Sequence, residues 1–338
     1  MSGSVELSSV EGHGPWVDLH AHPGRAFLGG LPRSAPAVML LGEEDSGERL
    51  RSARAGGLAA VNASAVADLA VLGVLPQGGL RAVRPFEPGE AAADFRRQID
   101  ALEAALAASG ARPVLTPADL NGSSGTVGVL LGCEGGDFLE GDPDGLADAY
   151  ERGLRIVTLV HYRPNELGDV QTDDAVHSGL SSVGRAVVRE MNRLGMVVDL
   201  AHASFATTVD ALEESTRPMM ISHSHLARPG AAHPRLLTEE HATVVAEAGG
   251  LIGAWPAGIV AEDLDGFCDE ICRLVDLVGV DHVGVGTDMD ANVRPVLTGY
   301  AQFGDVAERL RMRGMVPAEI DRILGGNFVE LFEAVTSP

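Results

Sequence analysis

Lysine is absent: the 25 basic side chains among the 338 residues are all arginine. Without a side-chain primary amine, the chain cannot form a pyridoxal Schiff base, place a P-loop lysine on a phosphate, or bridge two metal ions with a carboxylated lysine. The abundance of Ala, Gly, Val and Arg makes base composition the ordinary cause, but the chemical exclusions hold whatever the cause. Cysteine is scarce. Cys133, Cys268 and Cys272 are too few for a disulfide framework and lack zinc-ribbon spacing. The last two lie four apart in an expected helix, where paired core packing is the expectation. Long hydrophobic runs are missing as well: none reaches the roughly 20 residues that span a bilayer. The opening stretch MSGSVELSSVEGHG has no apolar signal core and EAVTSP carries no anchor tail, so a cytoplasmic location is the simplest expectation. Positive charge is in deficit, with a formal net charge of -23. That repels nucleic acid and anionic membranes, so neither is expected as a partner.

What is present describes a soluble globular chain, 45% hydrophobic and 22% charged. No linker, low-complexity segment or internal repeat interrupts it. The expectation is one domain over 1–338 with a short N-terminal extension, 1–15. Eight short apolar runs recur: WVDLHAH (16–22), LAAVNAS (58–64), VGVLLGCEG (127–135), LRIVTLVH (154–161), MVVDLAH (196–202), PMMISHS (218–224), GLIGAWP (250–256) and HVGVGTDMD (282–290). Runs of this length and β-branched content suit buried parallel strands. Amphipathic stretches lie between them, such as 92–110 and 182–195, the second ending in a glycine suited to a helix C-cap. Eight strands alternating with helices predict an α/β fold, a (β/α)8 TIM-type barrel, closed by a final helical segment PAEIDRILGGNFVELFEAV. A doubly wound sheet would alternate similarly. However, His, Glu or Asp ends six of the eight runs, and barrel enzymes draw their chemistry from strand ends around the whole ring. Proline and glycine cluster at 23–36 and 76–89, read as loops over the barrel mouth.

The strand ends supply metal-ligand chemistry. In Asp18-Leu19-His20-Ala21-His22, alternation places Asp18, His20 and His22 on one face, the barrel interior. Two imidazoles so spaced can reach one metal ion, although the pair alone is a weak signal. Glu134 ends the uncharged run TVGVLLGC, where a carboxylate must be paired, hydrogen-bonded or metal-bound. A salt bridge to an arginine is the structural alternative. His202 ends GMVVDLAH, His223 ends PMMISH and Asp288 ends HVGVGTD. Four histidines and one bridging carboxylate would hold two divalent ions about 3.5–4 Å apart.

With these residues in view, the sequence resembles the membrane dipeptidase (renal dipeptidase) family of zinc metallopeptidases, in the amidohydrolase superfamily. The likeness runs over roughly 16–332, on VDLHAHPG, GVLLGCEGGDFL, GLRIVTLVH, EMNRLGMVVDLAHAS, PMMISHSHLA, AAHPRLLTEE and GVDHVGVGTDMD. It implies hydrolysis of dipeptides, L,D-dipeptides included, by a hydroxide bridging two zinc ions. It implies His20, His22, Glu134, His202 and His223 as ligands. His161 would stabilise the oxyanion, Arg235 would receive the substrate carboxylate, and Asp288 would move a proton or hold the amine. For His161 the bland reading is a satisfied core histidine; for Arg235 it is a solvated surface residue. Asn165 and Asp169 follow His161 as further pocket candidates, and Asp290 would orient neighbours or cap a loop. Barrels of this family often pair, which leaves a homodimer open. One departure stands out: the family's first-strand motif is HxD, whereas this chain has His22, which makes the site one unit more positive. That leaves room for an amidohydrolase reaction on another amide, a lactam or a lactone. A catalytically silent metal-binding protein would lack a catalytic group, yet Glu134 and Asp288 are both present. His13, His177, His225, His233, His241 and His282 are expected mostly at the surface or in caps, with His225 near enough to His223 to reach the mouth.

Overall fold

In a computed structural model, residues 13–42, 44–74, 80–121, 125–228, 233–259 and 261–337 are described. Most of the expected N-terminal extension, residues 1–12, lies outside them. The eight runs become eight parallel strands: β1 (Trp16–Ala21), β2 (Leu58–Val66), β3 (Gly128–Glu134), β4 (Leu154–Thr158), β5 (Val197–Asp199), β6 (Met220–Leu226), β7 (Leu251–Ala254) and β8 (Val283–Val285). They are neighbours in sequence order. The ring closes past the end of β8, where Met289 bridges to Ala21, the Asp288 amide donates to the His20 carbonyl at 2.8 Å and the His22 amide donates to the Met289 carbonyl at 2.9 Å. This is a (β/α)8 barrel.

Helices return the chain along the outside: α1 (Ser46–Ala55), α2 (Glu90–Ser109), α3 (Gly145–Glu151), α4 (Ser182–Leu194), α5 (Phe205–Glu214), α6 (Glu239–Glu247), α7 (Leu264–Val278) and α8 (Gln302–Met312). Ser181, Ser204, Thr238 and Asp263 cap α4, α5, α6 and α7 by accepting a backbone N–H two or three residues into the first turn. Gly195 ends α4 at φ +71°, the left-handed cap its position suggested. No helix among the described residues is long and apolar enough to cross a membrane.

The final helical segment is not continuous. It kinks through Arg322–Gly326 before α9 (Asn327–Thr336). A side chain on Gly325 would come within 1.9 Å of the Pro15 carbonyl, so the break lets the chain pass directly under the start of β1. Thereafter α9 plugs the N-terminal end of the barrel. Its Phe328, Leu331, Phe332 and Val335 join Val17, Leu19, Ala60, Leu130, Ile156, Val197, Met220 and Leu251 in one interior cluster. With the bottom filled by apolar side chains, the polar strand ends are left to the opposite mouth.

Strict alternation fails in β1. The register with β2 shifts between Asp18 and Ala21. Leu19 packs inside the barrel with Val17, whereas Asp18 turns to the Thr287 amide (2.9 Å) and hydroxyl (2.5 Å). Burial pushes the Asp18 carboxyl up to about 6, against the lowering effect of the Thr287 donors. The irregularity resets the faces, so that His20 and His22 still point inward beside a leucine that periodicity had placed outside.

Candidate metal centre and substrate cavity

Glu134 is the hub. Its Oε1 lies 2.9 Å from His202 Nε2, 3.5 Å from His20 Nε2 and 3.6 Å from His223 Nε2. Its Oε2 lies 3.3 Å from His22 Nε2 and 3.3 Å from His161 Nε2. No arginine reaches the Glu134 carboxylate among the described ion pairs, which removes the structural alternative. Two triads of buried ligand atoms follow, His20–His22–Glu134 and Glu134–His202–His223, each within 4.8 Å and sharing the carboxylate.

The surroundings fix how these imidazoles present themselves. A carbonyl can only accept, so the Ser64 carbonyl at 2.9 Å requires a proton on His22 Nδ1 and leaves the Nε2 lone pair free. The Ser222 hydroxyl donates its one proton to Asp199 Oδ2 at 2.7 Å, and must therefore accept from His223 Nδ1 at 3.0 Å. His223 Nε2 is again left bare, as a metal ligand needs. Asp199 is held in turn by the Thr158 hydroxyl (2.7 Å) and the Ala201 (3.0 Å) and Ser222 (2.9 Å) amides.

Electrostatics agree with the donor set. Burial drives His202 and His223 well below the ordinary histidine range, so both are neutral. His20 goes the other way, to about 9: burial opposes its charge, but the Glu134 carboxylate outweighs burial. Glu134 is held well below the usual carboxylate range despite burial, chiefly by His161 and His20. One buried anion encircled by imidazoles is the charge pattern a cation site has before the cation is added.

Asp288 lies 3.5 Å from His22 Nε2, and burial pushes it up to about 6 although His22 opposes this. His202 (φ +66°) and Asp288 (φ +52°) both adopt left-handed backbone, which costs a non-glycine residue about 1–2 kcal/mol. Such strain is retained where the surrounding structure over-determines it. Asp290 (φ +72°) pins the mouth loops instead: its carboxylate takes the Gly24 amide and the Arg49 guanidinium, each at 2.6 Å.

His161 is brought in from β4 and locked by Asp68, whose carboxylate receives the Nδ1 proton at 2.7 Å and the Tyr162 amide at 3.0 Å. Burial disfavours the charged ring, but Asp68 and Glu134 together outweigh it and the net shift is upward. Arg235 is buried rather than solvated. It donates to Gln171 Oε1 at 2.6 Å and to the His223 carbonyl at 3.3 Å, with its guanidinium 5.7 Å from the centre of the Trp255 ring. A cavity of about 100 Å³ joins these groups, lined by His22, Glu134, His161, Tyr162, His202, His223, Arg235, Trp255 and Asp288 on its polar side. Phe27, Leu41, Val66, Leu69, Leu72, Leu80 and Ala291 form the rest of the wall, so loops from both Pro/Gly-rich clusters do border the mouth. Two roomier clefts, of about 770 and 750 Å³, lie outside the barrel beside the start of α7 and between α2 and α3. Neither gathers a metal-ligand group among the described residues, so convergence of chemistry, and not volume, marks the site.

Several expectations shift. Asn165 does not line the cavity; its amide donates to Asp137 and the Leu159 carbonyl. Asp169 accepts the Val176, His177 and Gly179 amides and so shapes its own loop. His225 and His241 are core residues: His225 bonds the Ala257 carbonyl at 3.2 Å, and His241 bonds the Thr208 hydroxyl at 2.8 Å. The sequence reading missed Asp68, Asp199, Ser222 and Gln171. The first two do close apolar runs, AVAD and VVD, and that signal was available.

Solved barrels superpose well. A dipeptidase described as a metallo peptidase matches with a TM-score of 0.78 at 20% identity, over 96% of this chain and 100% of that one. A metallo peptidase from Rhodobacter sphaeroides, liganded with a phosphinate mimic of L-Ala-D-Ala, matches at 0.77 and 21%, over 96% and 100%. At these identities the likeness is one of fold. Among curated sequences, dipeptidase tcpJ of Claviceps purpurea is 31% identical over 223 residues, 63% of this chain and 52% of that protein. Dipeptidase aclJ of Aspergillus oryzae is 32% identical over 219 residues, 62% and 52%. The matched part of the chain thus spans about half the length of these relatives. The model of the membrane dipeptidase family, peptidase family M19, matches residues 51–337, and the chain belongs to that family.

Proposed function

We propose that the protein is a metallo-dipeptidase, with His20, His22, Glu134, His202 and His223 holding two divalent ions, zinc being the metal this nitrogen and oxygen donor set suits. The observation that carries the reading is the pair of ligand triads sharing Glu134, with His161, Asp288 and Arg235 facing the same cavity. Metal ions there would supply a water nucleophilic at neutral pH and polarise the scissile carbonyl. The chain's own residues do the rest. Arg235, buried and aimed by Gln171, receives the C-terminal carboxylate, where a guanidinium makes a charge-assisted contact. With its Nδ1 proton held by Asp68, His161 presents Nε2 to the carbonyl oxygen, and the charged ring that Asp68 favours has a proton there to donate. Asp288, which lines the cavity 3.5 Å from His22 Nε2, accepts the proton of the attacking water and passes it to the leaving amine.

Elemental analysis combined with a panel of L,L- and L,D-dipeptides on one metal-replete preparation tests this. The expected result is two metal equivalents per chain and cleavage that requires a free C-terminal carboxylate. Equal turnover of amidated or cyclised dipeptides would favour the lactam or lactone alternative, and no cleavage of any dipeptide would sink the reading.

A further inference from the structure

The cationic end of the cavity and its apolar wall sit on opposite sides of the ring. Arg235 follows β6, and the strand diametrically opposite β6 in an eight-membered ring is β2. The segment after β2 contributes Leu69, Leu72 and Leu80, with Val66 at the end of the strand itself. Leu72 and Leu80 come from a two-stranded antiparallel ribbon in which Val74 pairs with Leu80 and Leu72 with Ala82. Phe27 after β1 and Leu41 from the short helix Pro36–Leu41 complete the wall. Among the described lining residues Arg235 is the only arginine, and it is on the far side. Leu41 and Leu80 remain 39% and 41% exposed, an apolar surface left open to water at the site itself.

We propose that this wall is a subsite for a large apolar side chain on the N-terminal residue of the substrate. The inference rests on the dipeptidase reading. With the C-terminal carboxylate on Arg235 and the scissile carbonyl at Glu134 and His161, the N-terminal residue must lie toward β1 and β2. Its side chain then falls under the leucines. An aspartyl or glutamyl side chain would lose water there and gain no cation. A leucyl or phenylalanyl side chain would cover the open faces of Leu41 and Leu80. Burying a side chain of that size corresponds to about a 10- to 100-fold gain in kcat/KM over glycine.

The test uses metal-replete full-length protein and dipeptides with a constant C-terminal alanine: Leu-Ala, Phe-Ala, Gly-Ala and Asp-Ala. Ala-Leu and Ala-Asp serve as the reverse pair. The expected order of kcat/KM is Leu and Phe above Gly above Asp, with a smaller spread in the reverse pair. Leu80→Ala should lower the Leu-Ala to Gly-Ala ratio about 5-fold or more. Leu80→Arg should raise Asp-Ala relative to Leu-Ala. Leu80 is too exposed for either change to threaten the fold, and metal content checks that. Equal rates across the four substrates, a preference that follows the C-terminal residue instead, or ratios unmoved in both variants would each overturn the subsite while leaving the dipeptidase reading intact. Failure to cleave any dipeptide would overturn both.

Discussion

Asp199 does not line the cavity, yet Asp199→Asn should cost metal. Its Oδ1 accepts the Ala201 and Ser222 amides at 3.0 and 2.9 Å, and its Oδ2 accepts the Thr158 and Ser222 hydroxyls, both at 2.7 Å. An asparagine must keep its oxygen toward the two backbone donors, because an amide nitrogen there would face N–H groups. Its nitrogen then faces the hydroxyls and donates to Ser222. Ser222 can no longer give its proton to residue 199, and it turns that proton toward His223 Nδ1. His223 is thereby driven to carry its own proton on Nε2, the atom aimed at Glu134 and the proposed metal. Restoring the ligand tautomer forfeits a hydrogen bond, so the second triad should bind metal about 10- to 100-fold more weakly, the usual cost of losing such an outer partner. Losing charge-assisted bonds should also lower stability by about 1.5–3 kcal/mol. Titration against a competing chelator measures the first quantity and denaturant unfolding the second. Unchanged affinity for both metal equivalents would refute the tautomer argument, even if stability fell.

Three other outcomes follow from the same geometry. Asp68→Asn should lower kcat on dipeptides about 10- to 100-fold while KM moves little, because His161 acts on the reacting carbonyl; a change confined to KM in steady-state kinetics would contradict that role. Glu270 is buried and held at about 2, despite burial, by His225, Arg228 and the Leu226 amide. A lowered carboxyl stabilises the fold above the unfolded value near 4.5 and ceases to do so as pH falls toward 2. The stability advantage of wild type over Glu270→Gln should therefore shrink by about 3 kcal/mol between pH 5 and pH 2, and a constant difference in unfolding free energy would count against the ion pairing. Gly325→Ala would place a methyl 1.9 Å from the Pro15 carbonyl and should destabilise by about 3 kcal/mol, since neither the kink nor β1 can retreat; a melting temperature within a degree of wild type would show that they can.

Much of this protein was legible in one dimension. Each of the eight barrel strands coincides with a run that apolar, β-branched content picked out, six of them wholly inside it and β2 and β6 running two residues past its end, because a strand buried on both faces leaves that imprint locally. His20, His22, Glu134, His202 and His223 were legible for a related reason: a polar group ending an apolar run must answer for its desolvation. Because the chain has no lysine to be carboxylated, Glu134 is the bridging candidate that the family resemblance implies. Tertiary structure decided what depends on pairing between distant segments. Sequence period alone put Leu19 outside the barrel, but the register with β2 turned it inward and sent Asp18 to Thr287, 269 residues away. Arg235 read nearly as well as a solvated residue until the fold buried it against Gln171 and Trp255. Asp68 and Asp199 look like ordinary loop and strand-end acids. Their roles appear only when closure of the ring brings Asp68 to His161, 93 residues on, and Asp199 to Ser222. Residue types at strand ends are written in the chain, whereas which of them meet is set by the register and curvature of a closed sheet, to which every strand contributes.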